Sequence, residues 1–345
     1  MYLVYGDYDH IDKAFSIYSN RYKIALSLFR ESPLITSFDI VKAEPADLKD
    51  YRKAHTSTYV DLLERIDKTG VSAPMVPASA VAFERVGVGG TMKAVQLALE
   101  NKTIAYHLGG GYHHGMPDGP NSIDYCNDVA IGLASILERG VKRILYVDLD
   151  AHHPDGVQCV FLEDPRVFQL SLHCWTGSDP GAYYDFIGSG KAKGFKVNMP
   201  LPSHTGDQIY LDILQSTLKS ILLKFTPEVV FYQAGVDPYQ RDPIGNLNLS
   251  LRGLYERDVL VRSSCSSTPL VVVLGGGYSV DGAPKAVINT LAALADKPIV
   301  YDEPYSRGAC NRKTVLKWHQ KLTGILAPYI TLGSLDSEEA RNAQA

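Results

Sequence analysis

The segment that decides the fold is RILYVDLDAHHPDG, at residues 143–156. It begins as an apolar, β-branched run, which is typical of a strand buried on both faces. Because side chains alternate along a strand, we expect Asp148, Asp150 and His152 on one side and Leu149 and Ala151 on the other. Acids and histidines packed at a strand end are costly to bury unless a metal ion or polar partners satisfy them. The segment therefore predicts a strand that ends in a functional site.

Similar apolar runs alternate with amphipathic stretches from about Thr103 onward, as in the strand and helix units of a mostly parallel sheet. We predict strands at residues 103–107, 143–148, 167–173, 229–233 and 270–274, and helices at 128–138, 207–225, 251–264 and 282–295. The first hundred residues predict helices at 20–30, 47–54 and 58–68, around a short strand near 37–41. No linker separates these parts. The prediction is a single α/β domain at residues 1–332, with helices on both faces of the sheet, and a flexible tail at 333–345.

Composition and charge exclude several classes of protein. A chain of 345 residues with 45% hydrophobic and 21% charged residues can bury a sizeable core and does not resemble a disordered protein. A net charge of −4 without a long basic run argues against direct nucleic-acid binding. No apolar stretch is long enough to cross a membrane, and no secretory signal is visible. The five widely spaced cysteines indicate reduced thiols, so we expect a cytoplasmic protein of undetermined oligomeric state.

A second strand end supplies another acid. Residues 231–237 read FYQAGVD, which places Asp237 just beyond an apolar strand. Two acids and one histidine from two strand ends give three protein ligands and leave a position for water, as in catalytic zinc sites. Asp150, His152 and Asp237 fit that count, although Asp237 taken alone would more often cap a turn. A site with two oxygen ligands and one nitrogen ligand also suits Fe²⁺ or Co²⁺.

A pair of histidines follows the strand predicted at 103–107. His113 and His114 lie in the glycine-rich loop HLGGGYHHG, at residues 107–115. Beside a metal ion, adjacent histidines serve as general base and general acid, and a carboxylate on the far nitrogen makes each more basic. Asp148 and Asp155 are available for that role. A His-His pair in a loop is weak evidence by itself.

The fourth motif is LGGGY at residues 274–278. Glycines let the backbone approach a site closely, and the Tyr278 hydroxyl is placed to donate to a developing oxyanion. The four motifs together, in this chain order, resemble the zinc-dependent histone deacetylase family of the arginase-deacetylase fold. The resemblance runs from about Arg21 to about Leu294 and is nearest to the small bacterial and class IV members.

The resemblance implies a role for each motif. Zinc would be bound by Asp150, His152 and Asp237, and the catalytic groups would be His113, His114, Asp148, Asp155 and Tyr278. A structural potassium ion would be held by Asp148, Asp150, His152, Ser171 and Leu172, and a second one near Phe161, Asp164 and Val167. Arg21 would line a channel for acetate exit, and Gly276, Tyr183 and Tyr184 would border the substrate slot. The implied reaction is hydrolysis of an acyl-lysine side chain in a protein or peptide by metal-activated water.

Two positions depart from the pattern of that family. Ser122-Ile123-Asp124 stands where the family carries an aromatic tunnel wall between Gly and Cys. The acidic residue that anchors the substrate backbone has no counterpart in residues 74–77, PMVP. The length of the acyl group therefore stays open, and a chain longer than acetyl is conceivable.

Three alternatives stay open beside the lysine deacylase. A ureohydrolase such as arginase needs two metal ions, but Pro154 takes the place of an acid that such a site requires. An acetylpolyamine deacetylase would carry an acidic residue at its entrance, where this chain has Ile244. A silent acyl-lysine binder or scaffold is disfavoured because every expected catalytic residue is present.

Overall fold

The structure, a computed structural model, describes residues 1–8, 16–177, 179–333 and 335. Within these ranges the chain forms eight strands and nine α-helices. The strands are β1 (Tyr2–Tyr5), β2 (Asp39–Lys42), β3 (Ile104–His107), β4 (Ile144–Asp148), β5 (Val167–Cys174), β6 (Lys196–Leu201), β7 (Val229–Gln233) and β8 (Leu270–Val273). The helices are α1 (Ser16–Glu31), α2 (Ser57–Thr69), α3 (Ala78–Asn101), α4 (Asp128–Glu138), α5 (Asp155–Val160), α6 (Asp207–Phe225), α7 (Leu251–Ser264), α8 (Gly282–Leu294) and α9 (Arg312–Leu326). Short 3-10 helices lie at Pro33–Ser37, Leu48–Lys53, Pro180–Ala182 and Gly190–Ala192.

All eight strands join one parallel sheet in the order β2-β1-β3-β8-β7-β4-β5-β6. Every residue of β3, β4, β5, β7 and β8 is buried, as expected for strands covered on both faces. The helices pack in two sets, one of α2, α3, α4 and α5 and the other of α1, α6, α7 and α8. The predicted α/β fold with a parallel central sheet between helices is confirmed. None of the helices in the described ranges combines the length and hydropathy needed to cross a bilayer.

The elements with a clear hydrophobic period match their predicted positions closely. Helices α4, α6 and α7 have the predicted bounds, and α8 ends one residue earlier. The helix predicted at 47–54 is instead a 3-10 helix at Leu48–Lys53. The tail predicted at 333–345 lies outside the described residues, apart from Gly333 and Leu335.

Five of the strands and α-helices are absent from the predictions: β1, β6, α3, α5 and α9. Helix α3 is buried on most of its surface, so its sequence has no polar stripe with helical period. It also contains glycines, and a Cβ at Gly90 would lie 2.1 Å from Nε2 of His107, so close packing requires glycine there. Strand β6 begins with Lys196 and contains Pro200, which is tolerated because β6 is the last strand of the sheet.

The sheet order places the four predicted motifs side by side. Strands β3, β8, β7 and β4 are neighbours, and each is followed directly by one motif. In register, Asp148 at the end of β4 lies opposite Gln233 of β7. Because the carboxyl ends of parallel strands meet at one edge, the histidine loop, the triple glycine and both acidic segments converge there.

A buried arginine ties two of these segments together. Arg257 of α7 is fully buried, and its guanidinium donates to the carbonyl oxygens of Leu149 (3.1 Å) and Gly235 (2.6 Å). Its charge is balanced by Asp258, whose Oδ1 lies 2.9 Å from Nε. Leu149 directly precedes Asp150, and Gly235 lies two residues before Asp237. Arg257 therefore fixes the distance between the two acidic strand ends.

Replacing Arg257 with Met should lower the free energy of unfolding by about 3–5 kcal/mol, because Asp258 would stay buried without its counter-charge. Urea denaturation followed by circular dichroism measures this loss. The matched control is Arg252→Met, which breaks the exposed ion pair with Asp302 and should cost less than about 1 kcal/mol. Equal losses in the two variants would contradict the role given to Arg257.

Candidate active site

A narrow cavity of about 100 Å³ opens at the edge of the sheet where the motifs converge. Residues from three of the four motifs line it, among them His113, His114, Asp150, His152 and Tyr278. Asp237 of the remaining motif is not part of the wall but contacts His152, which is. The cavity wall also includes residues that the sequence placed near the substrate, namely Arg21, Ser122, Ile123, Ile244 and Gly276. One cavity thus brings together the groups that the sequence scatters over more than 250 positions.

Asp150, His152 and Asp237 form a compact triad. Nδ1 of His152 lies 3.1 Å from Oδ1 of Asp150 and 2.9 Å from Oδ2 of Asp237, and one ligand atom from each residue lies within 4.8 Å of the others. The other carboxylate oxygens accept backbone hydrogen bonds, at 2.7 Å from Gly276 to Asp150 and at 2.8 Å from Ala151 to Asp237. Two buried carboxylates and one imidazole aimed at a common point fit a divalent metal ion.

The charges of the triad are strongly coupled. Burial and the Asp150 carboxylate raise the pKa of Asp237 to about 7. Burial lowers the pKa of His152, but its hydrogen bonds to both carboxylates outweigh burial and raise the pKa to about 11. Without a metal ion, the imidazolium of His152 therefore stands between the two acids in the place of a cation.

Each of the paired histidines is held by its own carboxylate. Nδ1 of His113 donates to Asp148 over 2.9 Å, and Nδ1 of His114 donates to Asp155 over 2.6 Å. The two rings are 4.3 Å apart between centroids. Nε2 of His113 lies 3.8 Å from Asp150 Oδ1, so this nitrogen is turned toward the triad. Burial lowers the pKa of His113, but the carboxylates of Asp148 and Asp150 raise it to about 10.

Several polar residues that support these groups are absent from the sequence predictions. The hydroxyl of Tyr146 donates to Asp148, and Asn121 donates to Asp155 over 2.7 Å. Nε2 of Gln233 donates to the carbonyl of Gly111 over 3.0 Å and lies 3.4 Å from Oδ2 of Asp150. Gln233 could have been found, because it is a polar residue at the end of an apolar strand. The sequence offers no comparable pattern for Tyr146 or Asn121.

Tyr278 is positioned by its backbone and by the glycine turn before it. Asp242 Oδ2 accepts the backbone N–H of Tyr278 over 2.6 Å. Arg21 donates to the carbonyls of Gly275 (2.8 Å) and Gly277 (2.7 Å), and its guanidinium carbon lies 5.5 Å from the centre of the Tyr278 ring. Burial raises the pKa of Tyr278 well above its ordinary value, so the hydroxyl stays a hydrogen-bond donor.

The residues predicted to border the substrate divide into two groups. Ile123 and Ile244 line the cavity and are 43% and 46% exposed, which places two aliphatic side chains at its mouth. Tyr183 and Tyr184 do not belong to the cavity wall in the described part of the chain. Their rings pack on each other with centroids 4.1 Å apart, and Tyr183 also packs on Trp175 at 4.7 Å.

The two predicted potassium sites have different surroundings. Asp148 and Ser171 lie opposite each other on β4 and β5, with Leu172 next in the strand, so the residues of the first site are neighbours. At the second, the Nζ of buried Lys196 donates to the carbonyl of Val167 over 2.7 Å. Asp164 pairs with Arg166, and its backbone N–H donates to the carbonyl of Phe161 over 3.2 Å. Both potassium sites stay predictions.

Comparison with known proteins points to one family. The profile of the histone deacetylase domain matches residues 17–294. Over 288 residues, or 80% of each chain, the sequence is 34% identical to a probable deacetylase of Archaeoglobus fulgidus. It is 29% identical to acetoin utilization protein AcuC of Staphylococcus aureus, covering 81% of this chain and 77% of that protein. It is also 29% identical to histone deacetylase RPD3 of Saccharomyces cerevisiae, over 83% of this chain and 70% of that protein.

Binding of a divalent metal ion to the triad should release about one proton at neutral pH, because His152 must lose its proton before Nδ1 can act as a ligand. Since the pKa of His152 is raised to about 11, the apparent metal affinity should rise as pH rises and fall as pH falls. Titration calorimetry with Zn²⁺ in two buffers of different ionisation enthalpy measures the released proton. An apparent metal affinity that is the same at about pH 6 and about pH 8 would contradict this account.

Asp237→Ala should weaken Zn²⁺ binding by about 100-fold or more, because the variant removes a ligand rather than an outer partner. Competition with a chromophoric chelator measures the affinity. Asp179→Ala is the control, because Asp179 pairs with His153 outside the triad and should leave zinc affinity unchanged. Full zinc occupancy of Asp237→Ala would remove Asp237 from the site.

Proposed function

Because the chain belongs to the histone deacetylase family, we propose that it is a zinc-dependent hydrolase that removes acyl groups from lysine side chains of proteins or peptides. Membership in this family makes it a metal-dependent amide hydrolase of the deacetylase type. The identity of the metal and the acyl-lysine substrate are the proposal. One observation carries it: two members of a candidate metal-binding triad, two histidines held by carboxylates and the half-buried Tyr278 line one cavity.

The two histidines divide the proton transfers. When bound, zinc would supply a Lewis acid that polarises the amide carbonyl and acidifies a water molecule. A bound divalent cation would offset the Asp150 carboxylate, which helps raise the pKa of His113, and so favour the neutral imidazole. His113, whose Nε2 is turned toward the triad, would then accept the proton of the water as its oxygen attacks the carbonyl carbon. His114, whose side chain is 16% exposed, would donate a proton to the amide nitrogen as the carbon–nitrogen bond breaks. The products are a carboxylate and the free lysine amine.

Tyr278 would stabilise the negative charge that develops on the carbonyl oxygen. Its hydroxyl keeps its proton because burial raises the pKa of Tyr278, and Asp242 and Arg21 hold the backbone around it. A donor fixed before the reaction costs no reorganisation when the charge forms.

The ligand set and the mouth of the cavity support zinc and an acyl-lysine substrate. Two carboxylates and one imidazole leave a position for water, as catalytic zinc requires, and the same set suits Fe²⁺ or Co²⁺. Ile123 and Ile244 make the entrance apolar, which favours the methylene stem of an acylated lysine over a polyamine cation.

The proposal is tested by loading the protein with Zn²⁺, Fe²⁺ or Co²⁺ and offering acetyl-lysine peptides and acetylated polyamines, with and without a chelator. Mass spectrometry of the products should show release of acetate from the peptides that the chelator abolishes. Cleavage of polyamines alone would assign a small-molecule deacetylase. Peptide binding without any cleavage would assign a silent acyl-lysine binder.

Tyr278→Phe should lower kcat by about 100-fold or more, because it removes the donor to the oxyanion. KM and zinc occupancy should stay near their wild-type values. Tyr183→Phe removes a hydroxyl from a tyrosine outside the cavity wall and is the matched control. Steady-state kinetics on an acetyl-lysine peptide provide the measurement, and an unchanged kcat in Tyr278→Phe would exclude Tyr278 from the mechanism.

A further inference from the structure

Two buried acids line the cavity and have no role in the reaction described above. Asp124 and Glu84 are 5% and 4% exposed, and both belong to the cavity wall. Buried carboxyl groups are costly unless they are paired or hydrogen-bonded. Their partners therefore show what each acid is able to do.

Asp124 keeps one oxygen available to the cavity. Its Oδ2 accepts the backbone N–H of His114 over 2.9 Å. Its backbone is fixed by two hydrogen bonds with Asn121, of 2.9 Å and 3.0 Å, so the side chain is held in place. Oδ1 has no hydrogen-bond partner among the residues that the structure describes. This oxygen is an acceptor without a donor on the wall of the reaction cavity.

Glu84 is satisfied by its surroundings. Its Oε1 accepts the backbone N–H of Tyr125 over 2.8 Å. Burial and the nearby Asp124 raise the pKa of Glu84 well above its ordinary value. Burial raises the pKa of Asp124 only to about 6, because His114 and His113 oppose it. Asp124 is thus the ionised acid of the two at neutral pH.

The position of Asp124 relates it to the acyl group of the substrate. The carbonyl of the substrate must lie between the metal triad, the histidine pair and Tyr278, and Asp124 is bonded to the backbone of that pair. The cavity wall also contains Phe83, Tyr112 and the glycines at 110–111. A volume of about 100 Å³ suits a short acyl group, whose second carbon would lie against this wall.

We propose that Asp124 makes the enzyme selective for short acyl groups that carry a hydrogen-bond donor, a hydroxyl or an ammonium group, on their second carbon. This inference rests on the proposed lysine deacylase function. A carboxylate is an acceptor only, so a donor on the acyl group pairs with Oδ1. A methyl group of the same size would displace the water from Oδ1 and leave the Asp124 carboxylate without a partner. A site built around a polar group discriminates against such a substrate. An acetyl group leaves room for water and stays a substrate.

The test compares one lysine peptide carrying four acyl groups: acetyl, 2-methylpropionyl, 2-hydroxypropionyl and 2-aminopropionyl, the last two as both enantiomers. The last three differ only in a methyl, hydroxyl or ammonium group at the same position, so size is controlled. We expect kcat/KM for at least one donor-bearing group to exceed that for 2-methylpropionyl by about tenfold or more. The faster of the hydroxyl and ammonium substrates identifies the donor. Equal or faster cleavage of the 2-methylpropionyl peptide overturns the inference.

Asp124→Ala should bring this ratio close to one, because the variant removes the acceptor. Asp118→Ala, which removes an exposed acid from the same loop, should keep the wild-type ratio. If Asp124→Ala does not fold by circular dichroism, the wild-type ratio alone decides. A wild-type ratio that persists in folded Asp124→Ala also overturns the inference. Release of acetate with a ratio near one rejects only the selectivity, whereas no release from any metal-loaded peptide rejects the proposed function with it.

Discussion

The parallel pairing of β3, β8, β7 and β4 is the constraint on which the rest of the structure depends. Parallel neighbours end at the same edge of the sheet, so four chain segments far apart in sequence meet there, and three of them line one cavity. This meeting concentrates carboxylates and imidazoles in a largely buried region. Each of them needs a partner of opposite charge or a hydrogen bond, and the surrounding chain supplies these partners in layers.

Residues from several elements hold the catalytic groups in place. Asp148 and Asp155 hold the histidines, and Tyr146 and Asn121 hold those carboxylates in turn. Farther from the cavity, Arg257 donates to the carbonyls of Leu149 and Gly235, which precede the acidic ligands in the chain. Groups supported in this way keep their geometry while substrates enter and products leave, which is the condition for preorganised catalysis.

The sequence was sufficient to predict the elements with a strong hydrophobic pattern. It was insufficient for elements whose position is set by tertiary packing. The central strands are continuous apolar runs, and their ends carry the charged motifs, so both the fold class and the grouping of the motifs could be predicted. Helix α3 could not be predicted, because it is buried on most sides and its sequence therefore lacks the alternation of apolar and polar residues with helical period. Strand β6 could not be predicted either, because it begins with a charged residue. Lys196 is tolerated in this buried strand because its Nζ donates to the carbonyl of Val167, and no local sequence pattern indicates that bond. The sequence shows Asp124 only as part of a departure from the family pattern. That its Oδ1 has no hydrogen-bond partner among the described residues depends on the fold and could not be predicted from the sequence.

The triad has a consequence for how the protein persists in a cell. Asp150 and Asp237 lie on segments that follow two different strands, and without a metal ion the imidazolium of His152 lies between their carboxylates. A cation that binds the folded chain and not the unfolded chain stabilises the folded chain by an amount that grows with its free concentration. The lifetime of this protein is therefore linked to the supply of metal. A cell that runs short of the ion would lose the protein by unfolding and proteolysis as well as losing its activity.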